Sequence, residues 1–600
     1  MSHRYRESRA GSAVHFSLPC CGSAGWGNGH GVRHFYLAGW CGPVRASWPL
    51  ARLFAAALIL TPSAASLAAA PDETAATLRK INHFVIIYQE NHSFDNLYGG
   101  WEGVAGLASA DPTHRLQVNQ AGAAFDCLHQ VDVNLSSPPQ PVTCTDAANG
   151  IASAFTNAPF RIEAWIGAAD RTCPGPDTRT HHGVPKGEGR PGGCTADLMH
   201  RFYQEQYQLD GGRMDRYVAG SDATGLTMGH YDTKQLPIYR YLHGPSHPPY
   251  AIADHFFQAA FGGSFLNHQW LIAAATPVFT GALSDGSAAD PHSLVDAAGM
   301  PSEAPLYRPS GPVKDAPLTV QCPAPVAGLA CGDFAVNTIQ PAAQPYRPNT
   351  PAGQRLPALS HRTIGDSLSA AGIDWAWYAG GWSNANGDLG AAGWTNGNGP
   401  QCTDPGADPA ATFPHCPDRL FQYHHQPFNY FAAYAQGTPA RAAHLRDEQA
   451  FIALAQTPGD ACQLKPVSFV KPGGADNEHP GYASEAAGGE HLVKLLRAVA
   501  DGPCAKDTMV IVTYDEFGGQ WDHVPPPGQG DTPGPHDQWG PGTRIPALIV
   551  APFLAADQVV DRTPHDTTSI LATIEHRFGL APLGPRDAAV ADLATVFAAH

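Results

Sequence analysis

The sequence predicts an α/β fold on a parallel sheet with helices above and below it. Three observations carry this prediction. Four short runs rich in β-branched and aromatic residues are apolar almost throughout, as suits strands buried on both faces. Stretches with apolar residues at three- and four-residue spacing lie between them. Two of the runs end abruptly in acids, as happens where an open α/β sheet gathers functional groups at the carboxyl ends of its strands.

Composition excludes the other classes. The 600 residues include 63 Gly and 55 Pro, with 43% hydrophobic and only 15% charged residues. A coiled coil needs charged heptads, a disordered chain fewer apolar residues, and collagen a glycine at every third position. Neither a repeat nor a charged linker divides the chain, so one decorated domain over residues 71–600 is expected.

Residues 1–70 are read as a leader. Within it, about residues 49–70 carry a basic start, the apolar run Leu53-Phe-Ala-Ala-Ala-Leu-Ile-Leu60 and the small-residue stretch Ser66-Leu-Ala-Ala-Ala70. Such a run is too short to cross a bilayer, which takes about 20 residues, and has the pattern of a secretory signal peptide. A periplasmic or secreted protein without a stable membrane anchor is therefore expected. The leader holds six arginines and one acid, so removing it takes the formal charge from −17 to −22. An acidic surface argues against a nucleic-acid partner.

Ten cysteines remain after the leader. As sequential neighbours they form the pairs Cys127/Cys144, Cys173/Cys194, Cys322/Cys331, Cys402/Cys416 and Cys462/Cys504. An even count in a secreted chain favours disulfides.

The predicted strands are His83-Phe-Val-Ile-Ile-Tyr-Gln-Glu-Asn91, Pro466-Val-Ser-Phe-Val-Lys471, Thr508-Met-Val-Ile-Val-Thr-Tyr-Asp-Glu516 and Ile545-Pro-Ala-Leu-Ile-Val-Ala-Pro552. The predicted helices are Ser360–Ala371, Ser484–Asp501 and Thr567–Phe578. Gly-, Pro- and Ala-rich stretches at about 100–198, 280–358 and 384–420 are too long for ordinary connections and read as insertions. Most of the cysteine pairs fall in or beside them.

Chemistry is expected where the strands end. Glu90 and Asn91 beside Asp515 and Glu516 would bring three carboxylates and an amide oxygen into one volume, where mutual repulsion forbids full ionisation. A divalent cation is the simplest remedy: Ca²⁺, Mg²⁺ or Mn²⁺, with Zn²⁺ also accepting carboxylates. The same acids would equally serve as caps of following helices. A third segment, Phe261-Gly-Gly-Ser-Phe-Leu-Asn267, presents Ser264 at a Gly-Gly turn before a helix. A serine there is either a nucleophile beside anion-holding N–H groups or simply the helix N-cap.

Taken together, these segments resemble the bacterial phosphoesterases that include secreted acid phosphatases and non-specific phospholipases C, within the alkaline-phosphatase-like superfamily. The matching residues are Glu90-Asn-His-Ser-Phe-Asp95, Gly212-Arg-Met-Asp215, Met228-Gly-His-Tyr-Asp232, Gly263-Ser-Phe-Leu-Asn267, Asn477-Glu-His479, Asp515-Glu-Phe-Gly-Gly519, Asp522-His-Val-Pro525 and Gly540-Pro-Gly-Thr-Arg-Ile-Pro546. They occur in the family's order.

The resemblance implies a three-layer sandwich with a mostly parallel central sheet. It implies metal binding by Glu90, Asn91, Asp515 and Glu516, a phosphoserine formed at Ser264, and phosphate-shell roles for His479 and His523. Asn267 and His200 are implied as substrate-binding residues. In one departure, Leu266-Asn267-His268 stands where the family often reads Pro-Asn-Arg, so that arginine's phosphate contact is absent or altered.

The substrate implied is a phosphate ester. With no β-rich module after the catalytic core and no basic amphipathic helix, the sequence favours an acid phosphatase acting on phosphomonoesters. A phospholipase C is the alternative, and a non-catalytic secreted binding protein on the same fold is a second one.

Overall fold

Eight strands build the central sheet of the computed structural model, which describes residues 70–130, 140–175, 182–221, 224–277, 358–395 and 420–599. In chain order they are β1 (His83–Gln89), β2 (Tyr250–Ala253), β3 (Trp375–Ala379), β4 (Leu445–Asp447), β5 (Val467–Lys471), β6 (Thr508–Tyr514), β7 (Ala547–Val550) and β8 (Gln558–Asp561). Across the sheet they lie in the order β4-β3-β5-β1-β6-β7-β2-β8. The four runs read from sequence are β1, β5, β6 and β7. Residues in β3, β5 and β6 are buried throughout, as continuous apolar runs require.

The sheet is mixed rather than wholly parallel. Only β7 runs against its neighbours, β6 on one side and β2 on the other. The chain leaves β6 at its carboxyl end, loops through residues 515–546 and re-enters the sheet from that same end.

The main helices are α1 (Ala70–Leu78), α2 (Phe202–Leu209), α3 (Ser264–Ala273), α4 (Ile364–Ala370), α5 (Glu448–Ala455), α6 (Glu485–Ala500) and α7 (Thr568–Phe578). The three predicted helices appear as α4, α6 and α7. Thr363 and Asp366 form a reciprocal capping box that starts α4. Ser484 accepts from the Ala487 N–H to start α6, whose Leu492, Leu495, Leu496 and Val499 enter the core. Gly579, at φ +67°, ends α7 in the left-handed conformation that glycine adopts without strain.

Three disulfides join Cys127 to Cys144, Cys173 to Cys194 and Cys462 to Cys504. The first two staple the 100–198 insertion, where the regular structure is small two-stranded pieces such as Cys144–Asp146 against Ile151–Ser153. The predicted pairs Cys322/Cys331 and Cys402/Cys416 lie outside the described residues. So do the leader up to residue 69 and the 280–358 insertion up to residue 357. Among the described residues no helix is long and apolar enough to cross a membrane.

For function, the pairing at the centre of the sheet matters most. β1 and β6 are parallel neighbours in register from His83 with Thr508 to Gln89 with Tyr514. Glu90 therefore emerges next to Asp515.

Candidate active site

Two loops leave this central pair and interlock. Asn91 takes a left-handed conformation at φ +62°, and its N–H donates to Asp515 Oδ1 at 3.1 Å, the oxygen that also accepts from the Glu516 N–H at 2.9 Å. Gly518, at φ +64°, donates its N–H to Glu516 Oε2 at 2.6 Å. Glu90, Asn91, Asp515 and Glu516 are all fully buried.

Ser264 completes the cluster from the other side. Gly263 is the N-cap of α3, so Ser264 is the first helical residue and its hydroxyl is not engaged as a cap. It lies instead 3.4 Å from Glu90 Oε2 and 3.4 Å from Glu516 Oε1. At 6% exposure it is buried but not sealed.

Two histidines border the same hydroxyl-facing space. The His200 ring pairs its Nδ1 with the Leu198 carbonyl at 2.5 Å, which leaves Nε2 facing Asn91 Nδ2 at 3.4 Å and Glu516 Oε1 at 3.6 Å. The His479 ring pairs Nδ1 with the Pro480 carbonyl at 2.6 Å and stacks on Tyr482, with Nε2 4.0 Å from Glu90 Oε2. An imidazole whose Nδ1–H is donated to a carbonyl presents Nε2 as its working atom.

Asn267 and His523 are both fixed by hydrogen bonds within the protein. Asn267 donates its side-chain amide to the carbonyls of Ala260, Gly262 and Gly263 and accepts from the Ala260 N–H. Its polar atoms are committed to the turn before Ser264, so it shapes that turn rather than facing a substrate. His523 is held by Asp95, whose Oδ2 accepts both its N–H, at 2.9 Å, and its Nδ1–H, at 2.5 Å, which leaves Nε2 as the ring atom it presents. Arg544 binds Asp95 and Asp522.

Other residues join the site without having been predicted there. Lys471, fully buried at the end of β5, forms an ion pair with Glu90 Oε1, and His425 Nε2 lies 2.7 Å from the same oxygen. His268 Nδ1 pairs with the Ser264 carbonyl at 2.8 Å, and its ring stacks parallel to His425 with centroids 5.4 Å apart. His424 packs edge-on against both rings. Lys471 did carry a signal, since a charged residue closing an apolar strand is the same pattern that marks Glu90 and Asp515. His424 and His425 come from a loop without such punctuation.

The electrostatics follow from this geometry. Burial alone would raise the Glu90 carboxyl, but His425 and Lys471 beside it hold it well below the usual carboxylate range. Burial and the Glu90 charge push Asp515 up to about 8, and burial with the Asp515 charge raises Glu516 well above its ordinary value. For Asp515 the Lys471 charge offsets only part of the rise. Burial depresses His268, His424 and His425. Asn91 Oδ1 and Asp515 Oδ2 are buried and accept no hydrogen bond. A buried acceptor left in that state costs about 1–3 kcal/mol. Three carboxylates, two unengaged acceptor oxygens and a hydroxyl make a donor set that fits a divalent cation. Glu90, Asn91, Ser264, Asp515 and Glu516 are the residues that would hold it.

Similarity to known proteins agrees with this constellation. A family model described as Phosphoesterase family matches residues 81–581. Phospholipase C A of Mycobacterium tuberculosis is 23% identical over 558 residues, covering 87% of this chain and 78% of that protein. Phospholipase C B of the same organism is 35% identical over 156 residues, 22% of this chain and 30% of its own length. Non-specific phospholipase C6 of Arabidopsis thaliana is 32% identical over 125 residues, 18% of this chain and 24% of its own length. The last two matches thus span less than a third of the relatives concerned. The family match begins just before β1 and ends just after α7, enclosing every residue of the acid and serine cluster, and the chain therefore belongs to the Phosphoesterase family of hydrolases.

Proposed function

We propose that the chain is a metal-dependent phosphoesterase that cleaves the phosphodiester of a phospholipid in the manner of a phospholipase C, through a phosphoserine at Ser264. The observation that carries the reading is the Ser264 hydroxyl 3.4 Å from both Glu90 Oε2 and Glu516 Oε1. The substrate class rests on the names of the relatives. They favour a phospholipase C over the acid phosphatase that the sequence alone led us to expect.

The chemistry can be assigned to this chain's groups. A serine hydroxyl is a weak nucleophile at its ordinary pKa. A bound divalent cation would supply Lewis acidity, lowering that pKa and neutralising phosphoryl charge. Ser264 Oγ attacks phosphorus as its proton passes to Glu516, whose Oε1 lies 3.4 Å from that hydroxyl. The ester P–O bond breaks, and the leaving alkoxide takes a proton from His479 or His200. Water then attacks the phosphoserine, giving up a proton to the histidine that protonated the alkoxide, while Glu516 returns its proton to the departing Ser264 oxygen and the phosphate product is released. Lys471 and His425 keep Glu90 ionised throughout.

The two readings separate in one assay. Diacylglycerol release from phosphatidylcholine vesicles is compared with phosphate release from an aryl phosphomonoester, each with and without chelator. Diesterase activity lost in Ser264→Ala is the expected result; monoesterase activity alone transfers the protein to the phosphatase class.

A further inference from the structure

Glu205 lies on α2, more than fifty residues before Ser264, and is fully buried. One of its carboxylate oxygens, Oε2, accepts from the Gly262 N–H at 2.5 Å and from Gln258 Nε2 at 2.9 Å. The other, Oε1, accepts from the Thr543 N–H at 2.7 Å and from the Thr543 hydroxyl at 2.8 Å. Four donors thus converge on a single carboxylate. Burial raises it, and these donors, which stabilise its charged form, restrain the rise to about 7.

These donors are placed with purpose. Gly262 is two residues before Ser264, at φ +87°, and a Cβ there would stand 2.6 Å from the Phe202 nitrogen at the start of α2. The serine turn is therefore pressed against the helix that carries Glu205. Gln258, held by the same carboxylate, turns its Oε1 to accept the Phe517 N–H at 2.9 Å. Phe517 directly follows Glu516. One carboxylate therefore grips the turn before Ser264 and, through one amide, the loop that carries Glu516.

We infer that Glu205 is a positioning residue that sets the reach of the Ser264 hydroxyl toward the acids and hence toward the phosphorus it attacks. The inference rests on the reading of Ser264 as the nucleophile. An aspartate would be one methylene too short to span from α2 to Gly262. A glutamine would turn an NH₂ group toward N–H donors on one side, opening either the Gly262 or the Thr543 contact. A displacement of about 1 Å at a nucleophile costs on the order of 100-fold in rate. The loss belongs to the phosphorylation step, because neither substitution removes a group that would touch the substrate.

The test is rapid-quench measurement of phospho-Ser264 in wild type, Glu205→Gln and Glu205→Asp, with metal content and melting temperature recorded on the same samples. Phosphoserine formation slowed roughly 30- to 100-fold, at metal content and KM within about twofold of wild type, is the expected result. Wild-type phosphorylation rates in both metal-loaded variants overturn the inference and leave the nucleophile reading intact. Lower melting temperature or metal content with an unchanged rate per loaded molecule also overturns it, since that is a structural role alone. A wild-type enzyme that turns over without phospho-Ser264 overturns both readings. Should Glu205→Gln fail to fold, Glu205→Asp, which keeps the charge, decides by the same rate.

Discussion

Gly518 stands so close to Asn91 that a Cβ on it would lie 2.2 Å from the Asn91 carbonyl oxygen. Both residues have positive φ, +64° and +62°. The loop after β6 thus nests against the loop after β1 with no room for a side chain. Gly518→Ala combines a strained backbone with a clash against main chain, so a loss of about 1–3 kcal/mol in stability is expected. Because the displaced atoms adjoin the proposed ligands, metal content by elemental analysis should fall with it.

The Glu90 ion pair makes a second prediction. Lys471→Met leaves the buried Glu90 carboxylate with His425 and, at 4.0 Å, His479 as its basic neighbours. Removing one partner of a buried pair costs about 3–5 kcal/mol, to be read by urea unfolding of chelated protein. Lys471 also helps to hold Glu90 below the usual range. Without it, ionising Glu90 requires a higher pH, and the acid limb of the rate profile should move upward.

Cation binding should be linked to protons. In the metal-free protein Asp515 is pushed up to about 8, so below that pH it carries a proton that an incoming cation must displace. Calorimetry in two buffers of different ionisation heat should show proton release at pH 7 and affinity that weakens as the pH falls. Equal affinities at pH 6 and pH 8.5 would remove Asp515 from the ligand set.

Glu485, at the start of α6, offers a test of pH-dependent stability away from the acids. Burial pushes it up to about 8, against about 4.3 in an unfolded chain. A group raised on folding contributes stability that is complete below its unfolded pKa and is lost as the pH rises through the folded one. Thermal melts of wild type should therefore fall between pH 5 and pH 8. In Glu485→Gln the decline should be shallower, leaving the variant the more stable protein at pH 8.

The parts legible in the sequence share a physical signature. β1, β5, β6 and β7 are apolar runs because both their faces are covered, and Glu90 and Asp515 stand out because acids interrupt such runs. β2, at four residues, and β4, at three, are too short to show a period. Asn267 shows a limit of sequence, because a side chain one turn beyond Ser264 can serve either a substrate or its own turn, and its bonds to Ala260, Gly262 and Gly263 are made only by the folded chain. His523 carries no local sign that Asp95, over four hundred residues earlier, has claimed it. The contact of His425 with Glu90 is likewise made only by the folded chain.

The position of β1 in the sheet has a consequence for biogenesis. It is the first of the sheet's eight strands in chain order, yet it lies at the centre of the sheet, between β5 and β6, whose residues begin at Val467 and Thr508. More than three hundred and seventy residues must be synthesised before β1 meets either neighbour. Long-range pairing of this kind is slow to form and exposes an apolar segment meanwhile. A nascent chain halted before Val467 holds neither partner for β1, and the proposed cation site is complete only once Glu516 has been made.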